Sequence, residues 1–235
     1  MRAEELRRRF EGLSTAHIAD GCLRVGEPVR CAPPDTTPVS PGVRLAGRVR
    51  PVRHCGSVDV FLEALERSDP GDVLVVDNAG RLDEACVGDL VVWEAAAAGL
   101  SGVVIWGLHR DTADIREIGL PVFSLGALPT GPLRLDDRPT DALVAARSGD
   151  LTVTEADLVF GDDDGVVFVS ASAAEAVSEA AARIAAAERS QVAALRAGRS
   201  LREQLAFSEF LARRAAEPDL TFRQHLRARD GAIEE

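Results

Sequence analysis

The chain has 235 residues, of which 46% are hydrophobic and 28% are charged, and it is long enough to bury a sizeable core. Its formal net charge of −11 argues against a nucleic acid partner, because neutralising phosphates requires clustered cations. All 27 cationic side chains are arginine, which excludes a Walker A phosphate loop, a pyridoxal phosphate imine and any other lysine Schiff base.

We expect a cytoplasmic protein without a membrane partner. The stretch MRAEELRRRFEGL is charged and lacks the apolar core of a signal peptide. No apolar run approaches the roughly 20 residues that span a bilayer. The cysteines show no CxxC spacing, so the sequence indicates neither a zinc site nor a redox motif and predicts reduced thiols. They are Cys22, Cys31, Cys55 and Cys86.

Hydrophobic periodicity and helix start and stop signals define the elements of residues 1–126. Ser14 or Thr15 is the predicted N-cap of the second helix, and Gly26 is its predicted stop. Four prolines make residues 31–44 an irregular loop. The predicted order is helix 2–12, helix 14–26, strand 45–52, helix 57–68, strand 71–80 with a turn at each end, helix 88–99, strand 102–107, helix 112–119 and strand 121–126.

Alternation of strands and helices between residues 71 and 126 predicts an α/β core with a parallel component. DLVFGDDDGVVFVS (157–170) predicts a hairpin, since two apolar runs flank an Asp/Gly turn. GDDDG lacks the spaced ligands and final Glu of a calcium loop. Strong helix formers predict a helix from residue 172, followed by a second at 200–214 and a short last helix in the tail.

His109, Arg110 and Asp111 follow an apolar run, as in the catalytic loop of protein kinases. In a kinase an Asn five residues after the Asp holds a second metal ion, but Arg116 occupies that position here. The sequence also lacks the glycine-rich loop, the DFG and APE motifs and the phosphate-pairing lysine of kinases. A kinase is therefore excluded, and the Arg-Asp pair must serve other chemistry.

Polar groups follow the ends of two predicted core strands. Asp77 and Asn78 end the first of these strands, and residues 107–111 follow the second. Gly88 and Asp89 begin a helix between them, and the free amides of that helix would suit a carboxylate. Ligands of open α/β sheets bind beyond the carboxyl ends of the strands, so this edge is the expected site.

Arg110 and Asp111 match the needs of a 2-oxo acid. Arg110 offers a planar fork for a carboxylate, and Asp111 offers the hard oxygen that magnesium prefers. Magnesium usually takes only one or two protein carboxylates and keeps several waters. A metal that chelates the keto and carboxylate oxygens could stabilise an enolate when a C–C bond breaks. Without lysine, a metal is the main remaining electron sink.

The stretch PGDVLVVDNAGRLDEACVGDLVVWEAAAAGLSGVVIWGLHRDTADIREIGLPVFSLG resembles the core of the RraA-like family. That family includes divalent-metal 4-hydroxy-4-methyl-2-oxoglutarate aldolases and the ribonuclease E inhibitor. The resemblance covers about residues 14–170, and its most specific element is Gly-Asp at 88–89 followed by Arg-Asp after the GVVIWG strand. It implies an α/β fold, a swivelling β/β/α domain, over residues 1–171, with a helical C-terminal extension over 172–235.

The resemblance also implies the site. Its metal ligand is Asp111, for Mg²⁺ or Mn²⁺, and inhibitor-only relatives can lack this Asp. The implied substrate-binding residues are Gly88, Asp89, Leu90, Val91 and Arg110. Arg110 and Asp89 are the expected catalytic residues on the core, although Asp89 serves equally well as a first-turn acid favoured by the helix dipole.

The tail carries a further candidate. In the longer aldolases of this family, a glutamate in the tail of a neighbouring subunit takes part in the reaction steps that involve water. The resemblance makes Glu188 the candidate for that glutamate here. It lies in a stripe of apolar residues at helical spacing, where an acid is costly unless it is paired or useful. We therefore expect a homotrimer or homohexamer with the tail packed on neighbouring subunits. A structural role for Glu188, pairing with an Arg of a partner helix, remains the alternative.

Other polar and aromatic residues have simpler interpretations. We expect His109 to orient the loop, His54 and Cys55 to lie in the core, and Trp93 and Trp106 to be packing residues. Arg110 and Asp111 could also form no more than a surface ion pair.

The sequence thus supports a magnesium-dependent lyase acting on a 2-oxo acid, by retro-aldol cleavage or decarboxylation through a pyruvate enolate. The alternative is a non-catalytic protein-binding regulator of a ribonuclease. A related lyase or hydrolase of a specialised pathway is a third possibility. The retained Asp111 beside Arg110 favours the enzyme.

Overall fold

The computed structural model describes residues 3–228. Helices occupy the amino-terminal region, the connections between the central strands and the carboxy-terminal region. They are α1 (Ala3–Phe10), α2 (Thr15–Val25), α3 (Asp59–Glu66), α4 (Asp89–Ala97), α5 (Thr112–Ile118), α6 (Ala174–Arg196), α7 (Leu201–Gln204), α8 (Phe207–Ala216) and α9 (Phe222–Arg227).

The strands lie between α2 and α6. They are β1 (Arg30–Cys31), β2 (Thr37–Pro38), β3 (Leu45–Arg53), β4 (Val73–Asp77), β5 (Ala85–Val87), β6 (Gly102–Trp106), β7 (Leu108–His109), β8 (Val122–Ser124), β9 (Ala145–Ser148), β10 (Leu151–Thr154), β11 (Asp157–Asp162) and β12 (Gly165–Ser170). The expected α/β fold with a helical C-terminal extension is confirmed.

Eight strands form one sheet in the order β1-β12-β11-β3-β4-β6-β8-β2. The central strands β3, β4, β6 and β8 are parallel, and Val76 of β4 pairs with Val52 of β3 and Ile105 of β6. Parallel neighbours need crossover connections. The helices α3, α4 and α5 supply them, so the carboxyl ends of the four strands meet at one edge.

Side chains of the central strands alternate between two cores, as the period of a strand requires. Val76 and Ile105 contribute to the cluster beneath α3 and α4. Val75 and Val104 point to the other face, where they join a cluster that includes Val153 of the β9–β10 hairpin. Both faces are covered, which explains why these strands are continuously apolar.

The predicted hairpin at residues 157–170 is confirmed as β11 and β12, with Asp162 paired to Gly165 across the turn. Oδ2 and Oδ1 of Asp162 accept hydrogen bonds from the amide and the hydroxyl of Thr15, at 2.8 and 2.6 Å. The Asp/Gly turn therefore ties the hairpin to the start of α2. Ser14 is the N-cap of α2, and Gly26 ends it in the left-handed conformation, as predicted.

The first half of α6 packs against α2, where Ala174, Val177 and Ala181 join the cluster of Ile18 and Cys22. The prediction of a single helix at 200–214 is wrong, because the helix is interrupted at Ala206, which has a φ of 48°. The predicted short tail helix is α9, and the rest of the tail lies outside the described residues. Over 3–228, no helix combines the length and apolar character needed to cross a membrane.

The shortest strands were not predicted from the sequence. The loop predicted at 31–44 contains the two-residue strand β2 and the last residue of β1, and these strands form the two edges of the large sheet. The strands β5 and β7 pair with each other in parallel, outside the large sheet. The β9–β10 hairpin was also not predicted. Strands of two to four residues carry too little periodicity to be recognised.

Candidate active site

The pairing of β5 with β7 brings two distant segments together at the carboxyl edge of the sheet. Val87 pairs with His109, and the amide of Arg110 donates a 2.9 Å hydrogen bond to the carbonyl oxygen of Val87. Gly88 follows Val87 and is the N-cap of α4. The start of α4 therefore lies directly beside Arg110 and Asp111.

Gly88, Arg110 and Asp111 are in close contact. A Cβ built on Gly88 would lie 2.5 Å from Oδ2 of Asp111 and 3.1 Å from Nε of Arg110. Nε of Arg110 lies 3.3 Å from Oδ2 of Asp111, and the two side chains are 45% and 35% exposed. Gly88 has φ −126° and ψ −172°, which any residue can adopt. Glycine is needed here for space, so that the side chains of Arg110 and Asp111 can both approach the backbone.

Asp111 has an uncommon backbone conformation. Its φ of 58° and ψ of 42° place a non-glycine residue in the left-handed region, immediately before α5. Such residues cluster at functional sites, where the surrounding structure sustains the strain. Asp111 is the N-cap of α5 but makes no side-chain capping hydrogen bond. Its carboxylate instead points towards Arg110 and Gly88.

The first turn of α4 offers backbone donors beside Arg110. No side chain caps this helix at Gly88, and its first three amides, those of Asp89, Leu90 and Val91, have no intrahelical acceptor. Val91 is buried, so it can contribute to a site only through its backbone, whereas the side chain of Leu90 is 73% exposed. Asp89 is half-buried. An anion at this helix end would meet the amides, the helix dipole and Arg110 together.

His109 is buried between two hydroxyl groups. Its Nδ1 lies 2.7 Å from Oγ of Ser124, and its Nε2 lies 3.0 Å from Oγ1 of Thr112. Burial lowers the pKa of the imidazole. These contacts link β7 to β8 and α5 and match the expected role of orienting the loop that carries Arg110.

Asp77 and Asn78, at the end of β4, are committed to structural contacts. Oδ2 of Asp77 accepts from Nε and the backbone amide of Arg147, at 3.0 and 3.1 Å. Oδ1 of Asn78 accepts from Nη2 of Arg134 at 3.1 Å and lies 2.9 Å from Nδ1 of His54. His54 and Cys55 are buried, as expected. Neither Asp77 nor Asn78 is exposed, so both shape the carboxyl edge of the sheet from the protein interior.

The two tryptophans behave differently. Trp106 is partly buried, and the guanidinium carbon of Arg147 lies 5.0 Å from the centre of its ring. Trp93 is 56% exposed on α4, so the expectation that it is a packing residue is wrong for the single chain. Leu90, three residues earlier in α4, is also exposed. The two side chains form an exposed apolar surface next to the site.

Glu188 does not meet Arg110 and Asp111 within one chain. It lies in α6, where its Oε2 is 2.8 Å from Nε2 of His17 in α2, and its side chain is 51% exposed. Nδ1 of His17 accepts from the amide of Ser14 at 3.0 Å. The pair borders a groove between α2 and the outer half of α6, lined also by Arg189 and Arg196.

Sequence reasoning missed the segment at 126–136, which lies against Arg110. A Cβ on Gly131 would lie 2.9 Å from Nη1 of Arg110. Glu84 is fully buried and pairs with Arg134 of this segment. The one available signal was the cluster of glycine and prolines in ALPTGPLR, which indicates only a loop.

Asp111 is the candidate metal ligand of this site. Within residues 3–228, no group of three or more His, Cys, Asp or Glu side chains could hold a metal ion by itself. A single partly exposed carboxylate fits Mg²⁺, which usually retains waters and shares its ligands with the substrate. It does not fit a closed structural zinc site, which needs four protein ligands.

A cavity of about 860 Å³ lies at the opposite edge of the sheet. It is bordered by Leu45, Ser101 and Pro121, which lie at the amino ends of β3, β6 and β8. Several of its polar groups are already paired, since Arg44 donates to the carbonyl oxygen of Leu13 and Thr15 donates to Asp162. We place the candidate site at the carboxyl edge, where Gly88, Arg110 and Asp111 converge.

Comparisons with known proteins agree with this architecture. The RraA-like family model, described as Aldolase/RraA, matches residues 15–168. This range includes Gly88, Arg110, Asp111 and the segment at 126–136.

Solved structures are also similar. An uncharacterized protein from Pseudomonas syringae pv. tomato has 25% identity and a TM-score of 0.74, covering 85% of this chain and 96% of its own. Streptomyces coelicolor RraAS2, described as an unusual member of the RNase ES inhibitor RraA family, has 30% identity and a TM-score of 0.66, covering 75% and 90%. The RNA-processing inhibitor RraA from Thermus has 27% identity and a TM-score of 0.56, covering 64% and 90%.

Proposed function

The chain belongs to the RraA-like family, and from this premise we propose that it is a divalent-metal-dependent lyase that cleaves a C–C bond of a 2-oxo acid. The reaction is a retro-aldol cleavage of the 4-hydroxy-4-methyl-2-oxoglutarate type, a decarboxylation of oxaloacetate, or both. The observation that carries the proposal is the convergence of Gly88, Arg110 and Asp111 at an uncapped helix start.

Arg110 and the first turn of α4 form the carboxylate-binding half of the proposed site. Arg110 supplies a planar pair of donors, and the amides of residues 89–91 supply further donors with a favourable dipole. The side chain of Arg110 is 45% exposed, so a substrate can reach it. Because Gly88 has no side chain, the substrate carboxylate can approach both Arg110 and the amides of α4.

Asp111 is the proposed ligand of Mg²⁺ or Mn²⁺. Its carboxylate is partly exposed and is not used to cap α5, which leaves oxygen lone pairs for a cation. When bound at Asp111, the metal would supply the Lewis acidity that lowers the energy of the enolate released by C–C cleavage. The left-handed backbone of Asp111 directs the carboxylate towards Arg110, where the substrate would be held.

Both reactions release the same product by the same electron movement. The electron pair of the breaking C–C bond moves into the 2-oxo acid fragment as a pyruvate enolate. In the retro-aldol cleavage the C4 hydroxyl gives up its proton and the other fragment leaves as a second 2-oxo acid, whereas in the decarboxylation the C4 carboxylate leaves as carbon dioxide. A proton must then reach the methylene carbon of the enolate to give pyruvate. Asp89, in the first turn of α4, and Glu188, from a neighbouring subunit, are the proposed groups for holding that proton or its water.

A closed ring, a trimer or a hexamer of two trimers, is the proposed assembly. Leu90 and Trp93 are exposed beside the site, and Val192 and Leu195 of α6 are 44% and 43% exposed. Burial of such surfaces favours association. In this proposal residues 172–235 pack on a neighbour, and the protein works in the cytoplasm, where its free cysteines stay reduced.

A non-catalytic regulator is the second candidate. It is supported by the descriptions of the Streptomyces and Thermus relatives as inhibitors of RNA processing or of a ribonuclease. Such a role needs a binding surface but not Asp111. The presence of Asp111, in a strained backbone conformation that the surrounding structure maintains, favours the lyase.

Incubation of the full chain with oxaloacetate and Mg²⁺, with pyruvate measured by a coupled assay, tests the proposal. The matched control is Asp111→Asn, which keeps the size of the side chain but removes its charge. Pyruvate release that depends on Asp111 supports the lyase. A wild-type rate no higher than that of free Mg²⁺, for oxaloacetate and for 4-hydroxy-4-methyl-2-oxoglutarate, would leave the regulator as the better hypothesis.

A further inference from the structure

The chain between β8 and β9 crosses the carboxyl edge of the sheet before it reaches the β9–β10 hairpin. We term residues 126–136 the wall segment. Although it has no regular secondary structure, backbone hydrogen bonds join it to three separate parts of the edge. The bonds, each 2.9 Å long, run from Leu128 N to the carbonyl oxygen of His109, from Ala85 N to that of Thr130, and from Asp136 N to that of Cys55.

Arg134 anchors the wall segment in the protein interior. Its Nε donates to Oε1 of Glu84 at 3.1 Å, and its Nη2 donates to the carbonyl oxygen of His54 and to Oδ1 of Asn78, both at 3.1 Å. Oε2 of Glu84 accepts from the amide of Leu133 at 2.9 Å. One guanidinium thus connects the wall to the ends of β3 and β4 and to the residue before β5.

Glu84 makes this anchor specific. Its side chain is fully buried, and a buried carboxylate is costly unless charged and hydrogen-bonding partners surround it. A packed apolar pair would close the same gap with less desolvation. The planar fork of Arg134 fixes both the distance and the angle between the wall and the sheet, which an apolar contact would not.

The position of the wall matters because Gly131 faces Arg110. A Cβ on Gly131 would lie 2.9 Å from Nη1 of Arg110, and one on Gly88 would lie 3.1 Å from Nε. The guanidinium therefore lies between two glycine backbones. Gly131 does not have a positive φ, so its backbone does not require glycine. Space for Arg110 is the evident reason for a residue without a side chain.

We propose that Gly131 is a positioning residue for Arg110 and that Arg134, paired with Glu84, is the anchor that holds Gly131 in place. The wall segment limits the movement of the Arg110 guanidinium. Its N–H donors therefore stay directed at the space beside the first turn of α4. This inference rests on the proposed function, in which Arg110 binds the substrate carboxylate. It adds two residues that do not touch the substrate and whose effect passes through Arg110.

Gly131→Ala is the central variant, with oxaloacetate turnover and thermal unfolding as the measurements. The added methyl group meets only the end of a flexible side chain, so we expect an unchanged Tm. The displaced guanidinium should raise KM about tenfold or more, because a shift near 1 Å is enough to lose large factors in binding and rate. Wild-type KM in a folded Gly131→Ala variant would overturn the inference.

The anchor is tested by a pair of variants and a control. Arg134→Met should lower Tm and raise KM, since it takes from the buried Glu84 the nearer of its two arginine partners and leaves only Arg81, at 3.4 Å. Adding Glu84→Gln should recover much of the Tm but not the KM. Arg138→Met, which removes the surface arginine that pairs with Asp59 and Glu63, should change neither. Recovery of KM together with Tm in the double variant would show a purely structural pair and overturn the anchoring role.

A measurement independent of catalysis separates this inference from the proposed function. Phenylglyoxal reacts with accessible guanidinium groups, and peptide mapping by mass spectrometry gives the rate at Arg110. Gly131→Ala should raise that rate severalfold over wild type, with Arg67, the residue that follows α3, as the internal reference. If the wild type releases no pyruvate but this rate rises, the lyase fails and the positioning stands. An unchanged rate overturns the positioning, whatever the wild type catalyses.

Discussion

Gly88 and Asp111 are separated by 23 positions in the chain, yet a methyl group on the first would lie 2.5 Å from Oδ2 of the second. The parallel pairing of β5 and β7 produces this proximity. The glycine leaves the carboxylate and the guanidinium of Arg110 beside the first amides of α4.

Gly88→Ala should fold normally and lose activity. The backbone angles of Gly88 suit alanine, so we expect a Tm near that of wild type. The methyl group must displace Asp111 or Arg110, and kcat/KM should fall by about 100-fold. Asp114→Ala, which removes an exposed carboxylate of α5, is the control and should be neutral. Wild-type kcat/KM in Gly88→Ala would show that the close approach has no catalytic role.

Arg110→Lys should be severely impaired although it keeps the positive charge. A lysine is a point charge and cannot make two parallel hydrogen bonds to a carboxylate. We expect kcat/KM for oxaloacetate to drop by roughly 10- to 100-fold, which corresponds to one or two lost charge-assisted bonds. Arg67→Lys, at the exposed pair with Glu63, is the control. Near wild-type kinetics for Arg110→Lys would refute bidentate binding.

Removal of divalent metal should abolish turnover reversibly. Excess EDTA should stop pyruvate release, and Mg²⁺ or Mn²⁺ should restore it. Calorimetric titration should show Mg²⁺ binding by the wild type in the presence of oxalate, with the binding lost in Asp111→Asn. Undiminished turnover in excess EDTA would reject the metal-dependent mechanism, whichever residues bind the substrate.

Mixed assemblies should test whether Glu188 serves a neighbouring subunit. Light scattering should give a mass several times that of one chain. Mixing inactive Asp111→Ala subunits with Glu188→Ala subunits should restore some activity, because a mixed ring contains some intact composite sites. A monomer would contradict the ring, whereas a full ring that exchanges subunits without complementation would leave Glu188 as the structural partner of His17.

Acidification should weaken the anchored edge through His54. Burial is the main cause that lowers the pKa of this imidazole, which stacks on Phe61 with ring centres 5.2 Å apart. Because the folded pKa lies below the ordinary value of about 6.5, the unfolded state takes up the proton first. Stability should therefore fall as the pH drops below about 7, by at most about 1.4 kcal/mol per pH unit for one group. Tm measured between pH 8 and 5 should show a smaller slope for His54→Gln, and equal slopes would contradict this origin.

The central sheet was predictable from the sequence because its strands are apolar runs bounded by turns. Val73–Asp77 and Gly102–Trp106 are five residues long and covered on both faces, so composition alone indicates them. The break at Ala206 was not predictable, because alanine favours a continuous helix. The turn is accompanied by tertiary contacts, namely the packing of the Phe207, Phe210 and Phe222 rings and the 3.0 Å contact of His225 Nε2 with the carbonyl oxygen of Leu205.

The candidate site was predicted in part. Arg110 and Asp111 stand out because an arginine and an acid follow a buried strand, and Gly88 because a helix begins there. The wall segment carries no periodic pattern, and the pairing of Arg134 with Glu84 joins residues 50 positions apart. Such a contact is set by the tertiary fold, so the sequence of one chain does not indicate it. Whether Glu188 completes the site stays a prediction.

The two outermost strands of the large sheet, β1 and β2, have two residues each, and β2 ends in Pro38. Long free edges expose rows of unpaired amides and carbonyls that invite another chain to add a strand, and short edges or a proline prevent this. This sheet therefore offers almost no template for edge-to-edge growth. Fibrillar stacking through this sheet is disfavoured, and the expected route of self-association is through exposed apolar side chains such as Leu90 and Trp93 of α4, a geometry that can close on itself.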